Sequence, residues 1–285
     1  MKSKLLLTST ILFFCSCFLY GQSKSSTTVN SGENNKGWVQ HPWQGKRVGY
    51  IGDSITDPNC YGDKIKKYWD FLREWLGITP YVYGVSGREW NDVPNQAEQL
   101  KKEHGGEVDA IIVFMGTNDF NAGVPIGEWF TETEEQVMAA CGKAKKMETR
   151  KKRTSVMDGN TYKGRINIGM KRLKQLFPDK QIVLLTPLHR SFACFGDTNV
   201  QPDESYQNSC GEYMDAYVQA VKEAGAVWGV PVIDFNAITG LNPMVEEQLV
   251  YFNDKEYDRL HPNTKGQIRM ARTLMYQLLT LPVEF

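Results

Sequence analysis

The sequence predicts an α/β fold, in which helices cover both faces of a mostly parallel β-sheet. Strand-like and helix-like segments alternate along the chain, which is typical of that architecture. Two of the strand-like segments, residues 108–115 and 181–186, are almost continuously apolar, as expected of strands buried on both faces. Residues 37–285 are enough for one large domain with a substantial core.

The predicted elements follow one another in a regular order. The strands are predicted at residues 46–51, 80–83, 108–115, 181–186 and 230–234. The helices are predicted at residues 61–76, 94–104, 162–177, 205–224 and 264–279. Within the third helix the apolar residues Ile166, Met170 and Leu173 recur at helical spacing, and Pro178 ends it. Every predicted strand is therefore followed by one predicted helix.

Residues 120–156 interrupt this alternation, because they form a connection that is long for a compact domain. The segment carries a basic cluster made of Lys143, Lys145, Lys146, Arg150, Lys151, Lys152 and Arg153. We predict an inserted hairpin or helix with a solvated face. The alternative is a lid or a substrate-recognition loop, since insertions near the end of a strand often serve that way.

The first 21 residues have the composition of a signal peptide. Lys2 and Lys4 precede an apolar segment that is too short for a comfortable membrane span, and a polar stretch follows it. Phe14 stands where a lipobox before Cys17 would have an aliphatic residue, so lipid anchoring at Cys17 is the less favoured alternative. We predict a signal peptide at residues 1–21, a flexible lead-in at residues 22–36, and export to the periplasm or the medium.

The balanced charge of the chain gives no indication of a strongly charged partner. The chain has 33 basic and 33 acidic residues, and loss of the two signal-peptide lysines leaves a net charge of −2, which does not suggest nucleic acid. The mature chain has no predicted membrane span, and its oligomeric state is left open. With four histidines in the chain and no metal-ligand spacing of cysteines, neither a metal nor another cofactor is predicted.

Four cysteines remain after removal of the signal peptide: Cys60, Cys141, Cys194 and Cys210. An oxidising compartment would allow them to form disulfides. Cys194 and Cys210 bracket a polar loop and are the favoured pair, although sequence alone does not fix the pairing.

Four short polar segments carry the candidate chemistry. Gly52-Asp53-Ser54-Ile55-Thr56 follows the first predicted strand, Ser86-Gly87 follows the second, and Gly116-Thr117-Asn118-Asp119 follows the third. The carboxyl ends of parallel strands lie at one edge of the sheet, where open α/β folds bind ligands. Asp258-Arg259-Leu260-His261 precedes the last helix and can approach the same edge.

Together these segments supply the groups that nucleophilic acyl transfer requires. A serine hydroxyl such as that of Ser54 is a weak nucleophile until a base removes its proton, and His261 is the natural base. Asp258 stands three residues before His261 and can orient the imidazole. The backbone N–H groups of Ser54 and Gly87 and the side-chain amide of Asn118 are the candidate donors to an oxyanion.

These segments resemble the sequence blocks of the SGNH hydrolase superfamily, the GDSL-type esterases. The resemblance implies a flavodoxin-like three-layer α/β/α sandwich with about five parallel strands. It also implies that Ser54 is the nucleophile, that Asp258 and His261 act with it, and that Gly87 and Asn118 complete the oxyanion hole. No Gly-x-Ser-x-Gly elbow occurs in the sequence, which disfavours the α/β-hydrolase alternative.

The segment after Gly87 departs from the family pattern. A small residue and a threonine are usual there, whereas this chain has Arg88, Glu89 and Trp90. We therefore predict that Arg88 and Trp90 border the substrate site and leave room only for a short acyl group. The expected substrate is a small-molecule or glycan ester, above all an acetylated carbohydrate.

Several alternatives to this interpretation stay open. Trp43 and Trp129 are further candidates for sugar-stacking walls, with burial in the core as the alternative. Other possible activities are those of a lipase or lysophospholipase, or of an acyltransferase that uses the same groups. An inactive binding protein on this scaffold is the remaining possibility, because a fold does not dictate a function.

Overall fold

A computed structural model describes residues 40–281 of the chain. The predicted signal peptide and the lead-in at residues 22–36 lie outside the described residues. The strands are β1 (Arg47–Gly52), β2 (Thr79–Val82), β3 (Ala110–Phe114), β4 (Phe130–Ala140), β5 (Lys146–Ser155), β6 (Gln181–Leu185), β7 (Ala193–Cys194), β8 (Val200–Gln201), β9 (Val232–Ile233), β10 (Phe252–Asp254) and β11 (Asp258–Pro262). The helices are α1 (Tyr68–Leu76), α2 (Val93–His104), α3 (Thr117–Asn121), α4 (Tyr162–Leu176), α5 (Met214–Trp228), α6 (Phe235–Ile238) and α7 (Thr264–Leu278). Within residues 40–281, every helix is too short or too polar to cross a bilayer.

The central sheet has the strand order β2-β1-β3-β6-β9. All of its neighbouring strands are parallel. Counted along the chain, this is the 2-1-3-4-5 order of flavodoxin-like folds, in which the connections reverse direction between β1 and β3. Open α/β sheets bind their ligands at the carboxyl ends of the strands at that reversal. The observed sheet confirms the predicted fold class.

Helices cover both faces of this sheet. The side chains of β3 show the two faces, because Ile111 and Val113 belong to one hydrophobic core whereas Ile112 and Phe114 belong to the other. Residues of α2, α4 and α5 fill the first core, and residues of α1 and α7 fill the second. The continuous apolar run of β3 is therefore explained by burial on both faces.

A second, smaller sheet has the strand order β10-β11-β7-β8, and its pairs are antiparallel. Asp258 and His261 lie on β11, directly before α7. Asn263 follows this strand, and its side chain accepts hydrogen bonds from the backbone N–H groups of Lys265 and Gly266, which caps α7. The small sheet thus holds the predicted acid–base pair against the rim of the central sheet.

Two predicted helices begin later than expected. The helix predicted from residue 61 begins at Tyr68, because Tyr61 has a φ of 65°, which an α-helix cannot include. The helix predicted from residue 205 begins at Met214, because side chains before it bond to the local backbone. The amide oxygen of Asn208 accepts hydrogen bonds from the N–H groups of Cys210 and Glu212, and such contacts compete with a helix.

The segment at residues 120–156 contains a hairpin of β4 and β5. Most of its residues are exposed, and ion pairs join its strands, such as Glu132 with Arg153 at 3.0 Å and Glu135 with Lys152 at 2.7 Å. These exposed pairs place the basic cluster on a solvated surface and contribute little to stability. No residue of either strand lines the cleft described below.

The four cysteines of the described residues are free thiols. The predicted disulfide between Cys194 and Cys210 is therefore absent. Cys194 lies on β7, whereas the sulfur of Cys210 lies 3.1 Å from the amide oxygen of Asn208 and 3.7 Å from the hydroxyl of Tyr217. The two thiols have separate surroundings, which spacing along the sequence does not reveal.

Candidate active site

A tight turn at the end of β1 places Ser54 at the rim of the sheet. The carbonyl of Asp53 accepts hydrogen bonds from the N–H groups of Thr56 at 3.0 Å and Asp57 at 2.9 Å. A Cβ atom on Gly52 would lie 2.5 Å from the hydroxyl of Thr56, so only glycine allows this close approach.

Two buried side chains hold this turn from outside it. The amide of Gln96, on α2, bonds both the N–H and the carbonyl of Gly52, each at 3.0 Å. The ammonium group of Lys67 donates to the carbonyl of Ser54 at 3.1 Å, and burial lowers the pKa of this lysine. Neither side chain is recognisable from the sequence, because the role of each depends on contacts between separate elements.

The hydroxyl of Ser54 meets the imidazole of His261, whose Nε2 lies 2.8 Å from the serine oxygen. On the other side of the ring, Nδ1 lies 2.9 Å and 3.1 Å from the two carboxylate oxygens of Asp258. The Asp258 carboxylate also accepts from the N–H groups of Leu260 and His261, which brings it back against the ring. This arrangement allows a carboxylate to orient a base and the base to activate a hydroxyl.

Tyr61 and Asn253 also bind the Asp258 carboxylate. The Tyr61 hydroxyl and the Asn253 amide donate to the same carboxylate oxygen, the latter at 2.9 Å. Burial alone would raise the pKa of Asp258, but the hydrogen bonds from His261 and Tyr61 outweigh it and leave the pKa below its ordinary value. The carboxylate is therefore ionised at neutral pH and can stabilise an imidazolium.

Tyr61 holds this position in an unfavourable backbone conformation. It is the only non-glycine residue in the described part of the chain with a positive φ, 65°, and such a conformation costs about 1–3 kcal/mol. The ring of Tyr61 lies edge-on to that of His261, with 5.4 Å between the ring centroids. Tyr61 was not predicted as a site residue, because the sequence pattern places it at the start of a helix.

The three predicted oxyanion donors meet at one cleft, which Ser54, Gly87 and Asn118 all line. Within residues 40–281, the backbone N–H groups of Ser54 and Gly87 donate to no protein acceptor. Gly87 has a φ of 77°, which favours glycine there. The amide of Asn118 donates one hydrogen to the carbonyl of Arg88 at 2.9 Å, and its second hydrogen is free to face the cleft.

Asn118→Ala should lower kcat by about 10²–10³-fold, the usual cost of one removed oxyanion donor. We expect little change in KM, because the donor acts on charge that develops only in the transition state. Steady-state kinetics with 4-nitrophenyl acetate measure both. Asn121→Ala, on the same short helix but outside the cleft, is the matched control. A large rise in KM with unchanged kcat would instead assign Asn118 to substrate binding.

The prediction that Trp90 contacts the substrate is wrong. Only 1% of its surface is exposed, and the ring belongs to the core between the sheet and its helices. A Cβ atom on Gly169 of α4 would lie 3.2 Å from this ring, so the ring packs directly against the helix backbone. Trp43 and Trp129 are also buried, which leaves none of the three available as a sugar-stacking wall.

Arg88 is placed differently from the prediction. Its half-exposed guanidinium forms an ion pair with Asp92 at 3.3 Å and does not line the cleft. Its backbone carbonyl contributes to the site instead, because it holds the amide of Asn118. The departure from the family pattern after Gly87 therefore does not place bulky side chains over the candidate nucleophile.

The cleft at Ser54 has a volume of about 340 Å³. The hairpin of β7 and β8 forms its far wall and contributes Phe195, Asn199 and Gln201. Phe195 is 41% exposed, and its ring lies edge-on to His261 with 5.5 Å between the ring centroids. One feature of the sequence indicates this wall. The hairpin follows β6, so it begins at the same rim of the sheet as the segments that carry Ser54, Gly87 and Asn118.

Buried Arg190 connects this wall to the oxyanion side of the cleft. Its guanidinium donates to the amide oxygen of Gln201 at 2.6 Å and to the carbonyl of Thr117 at 2.9 Å. Thr117 begins α3, the helix that carries Asn118. One side chain therefore holds both sides of the cleft. Burial lowers the pKa of Arg190 to about 10, so the guanidinium is still charged at neutral pH.

Burial next to Ser54 raises the pKa of Asp53 to about 6 from an ordinary value of 3.8. The folded state therefore holds the proton of the Asp53 carboxyl more tightly than the unfolded state does. The stability that protonated Asp53 contributes is complete below about pH 4 and is lost as the pH rises through about 6. The difference between the two pKa values corresponds to about 3 kcal/mol.

Between pH 4 and pH 7, the free energy of unfolding of the native protein should therefore fall by up to about 3 kcal/mol more than that of Asp53→Asn. Urea unfolding of both proteins at the two pH values measures the difference. Parallel pH dependence of the two proteins would contradict the assignment to Asp53.

Comparison with known proteins supports the resemblance seen in the sequence. The chain matches the model of the GDSL-like lipase/acylhydrolase family over residues 50–268. No curated protein has a matching sequence.

Solved structures show the same fold. A protein from Lactobacillus plantarum is 22% identical, with a TM-score of 0.62 over 82% of this chain and 96% of that one. A possible lipase from Chitinophaga pinensis is also 22% identical, with a TM-score of 0.57 over 81% of this chain and 96% of that one. A catalytic mutant of an acetylxylan esterase from Geobacillus stearothermophilus is 17% identical, with a TM-score of 0.50 over 86% of this chain and 99% of that one.

The family match extends from β1, just before the candidate nucleophile, to α7, just after the candidate base. It therefore includes Ser54, His261, Asp258 and the candidate oxyanion donors. The protein is a carboxylic ester hydrolase, and the chain belongs to the GDSL-like lipase/acylhydrolase family.

Proposed function

We propose that this esterase removes short acyl groups, above all acetyl, from carbohydrates. The observation that carries the proposal is the volume of the cleft, about 340 Å³, which has to accommodate both the acyl group and the alcohol. This volume is near the lower end of the range for small-molecule pockets. The lining combines the apolar side chains of Phe195 and Leu260 with polar side chains such as Asn118 and Asn199. A long alkyl chain would cover the polar groups without replacing their hydrogen bonds with water, which is costly.

The geometry supports a reaction through an acyl-enzyme on Ser54. His261 takes the proton of the serine hydroxyl as its oxygen attacks the ester carbonyl carbon, and Asp258 stabilises the resulting imidazolium. The N–H groups of Ser54, Gly87 and Asn118 receive the negative charge of the tetrahedral intermediate. His261 then protonates the departing alcohol oxygen. Water, activated by the same imidazole, attacks the acyl-serine and releases the carboxylic acid.

Carbohydrate is the proposed alcohol because the cleft pairs amides with one exposed aromatic ring, that of Phe195. Amides can bond sugar hydroxyls, whereas the ring can lie against the apolar face of a sugar. The acetylxylan esterase with the same fold suggests acetylated xylans as the first substrates to test. The composition of residues 1–21 supports export as a further part of this proposal.

The test compares 4-nitrophenyl esters of increasing chain length. We expect kcat/KM for the acetate to exceed that for the octanoate by at least about tenfold, or ~1.4 kcal/mol in transition-state binding. The octanoate is kept below its critical micelle concentration, so that aggregation does not obscure the comparison. A preference for the octanoate would reject the acetylesterase proposal and favour a lipase.

A further inference from the structure

A second cavity, of about 240 Å³, lies beside the cleft. The two share Asn199 in their linings. They also share their walls, because α3 contributes Asn118 to the cleft and Asn121 to the cavity, whereas β8 contributes Gln201 to the cleft and Val200 to the cavity. Successive residues of a strand point to opposite faces, so β8 separates the two spaces. The cleft and the cavity are therefore separate spaces on either side of β8, and they adjoin at Asn199.

The lining of this cavity combines an aromatic face with free polar groups. Tyr206 is 62% exposed and lines the cavity together with Asp203 and Asn121. One carboxylate oxygen of Asp203 accepts hydrogen bonds from Ser205. Within residues 40–281, the other oxygen of Asp203, the amide of Asn121 and the hydroxyl of Tyr206 have no hydrogen-bond partner. These groups are available to a ligand.

The same groups restrict the chemistry of that ligand. No lysine or arginine lines the cavity, and the carboxylate of Asp203 would repel an anion. An alkyl chain would cover the Asp203 carboxylate and the Asn121 amide without bonding them. A neutral polyhydroxylated molecule can bond both groups and place one face against the Tyr206 ring.

We propose that this cavity binds a second sugar unit of the substrate, next to the unit that carries the ester. This inference rests on the proposed function and extends it, because the preferred substrate becomes an acetylated oligosaccharide rather than an acetylated monosaccharide. Asn199, which touches both spaces, lies at the junction between the two sugar units.

The test uses Tyr206→Ala and a matched control, Tyr276→Ala. Tyr276 is 61% exposed on α7 and lines neither space. The substrates are acetylated xylo-, cello- and mannotetraose, the corresponding acetylated methyl glycosides, and 4-nitrophenyl acetate. For the best tetraose, Tyr206→Ala should raise KM by about 5- to 20-fold through the lost ring contact. The KM for the monosaccharides and for 4-nitrophenyl acetate should stay within about twofold, and Tyr276→Ala should change none of these values.

The outcomes separate the two proposals. Equal KM values for tetraose and monosaccharide, or an equal effect of Tyr206→Ala on both, would overturn the second-sugar site while leaving the acetylesterase function intact. A preference of the native protein for octanoate would reject the acetylesterase function itself.

Binding measurements test the cavity without any ester. Calorimetric titration of Ser54→Ala with the unacetylated tetraoses should show binding. Adding Tyr206→Ala to this variant should raise the Kd, whereas adding Tyr276→Ala should leave the Kd unchanged. Failure of all three tetraoses to bind would overturn the inference, whichever ester the protein cleaves.

Discussion

Ser54→Ala is expected to lower kcat for ester hydrolysis by about 10⁶-fold, the order seen when a serine hydrolase loses its nucleophile. His261→Ala should be about as damaging, because without the base the hydroxyl keeps its proton. The double variant should be little worse than either single variant, since residues that act as one unit show non-additive losses. Kinetics with 4-nitrophenyl acetate measure these effects.

Ser86→Ala is the matched control for this prediction. Ser86 lines the same cleft, but its hydroxyl donates to the carboxylate of Asp57 at 2.8 Å. We therefore expect only a modest loss of activity from this variant. In the native protein a fluorophosphonate probe should label Ser54, as peptide mass spectrometry can show. Full activity of Ser54→Ala would reject the acyl-enzyme mechanism.

Asp258→Asn should lower kcat by about 10³–10⁴-fold, the second largest expected effect. The substitution removes the charge that stabilises the imidazolium of His261. It also replaces one acceptor oxygen by an N–H donor, although both oxygens of Asp258 accept hydrogen bonds. An amide nitrogen would then face either the amide of Asn253 or the backbone N–H of His261. The imidazole would lose its correct orientation and tautomer.

Tyr61→Phe is the companion variant, because it removes one donor to Asp258 and keeps the ring. We expect a loss of kcat of roughly 3- to 10-fold, because Asn253 still donates to the same oxygen and offsets part of the about 1.5–3 kcal/mol that one hydrogen bond to a charged group contributes. Thermal unfolding of all variants controls for misfolding. If Asp258→Asn were as active as the native protein, the orienting role would belong to another carboxylate.

The sequence by itself determined the sheet and the order of the reacting groups. β3 and β6 are almost wholly apolar because both of their faces are buried, and this pattern is local enough to read directly. Ser54 and Asn118 follow strands that are neighbours in the sheet. The rule that ligands bind at the carboxyl ends of such strands therefore placed both residues at one rim.

The burial of Trp90 could not be predicted from the sequence in that way. Trp90 lies only three residues after Gly87, and its sequence position is equally compatible with a cleft wall and with the core. The space between the sheet and α4, which the chain closes only on folding, decided that the ring is buried. Burial of a large aromatic side chain is a tertiary property, because distant residues supply its surroundings.

Tertiary structure also decided what supports the reacting groups. The hydrogen bond of Tyr61 to Asp258 and that of Arg190 to Thr117 each join segments far apart in the chain. Neither of these contacts has a local sequence signal, since each depends on packing between elements rather than on spacing within one. The candidate reacting groups of this hydrolase can thus be recognised in short sequence segments. The shape of its cleft depends on loops and side chains that meet only in the folded protein.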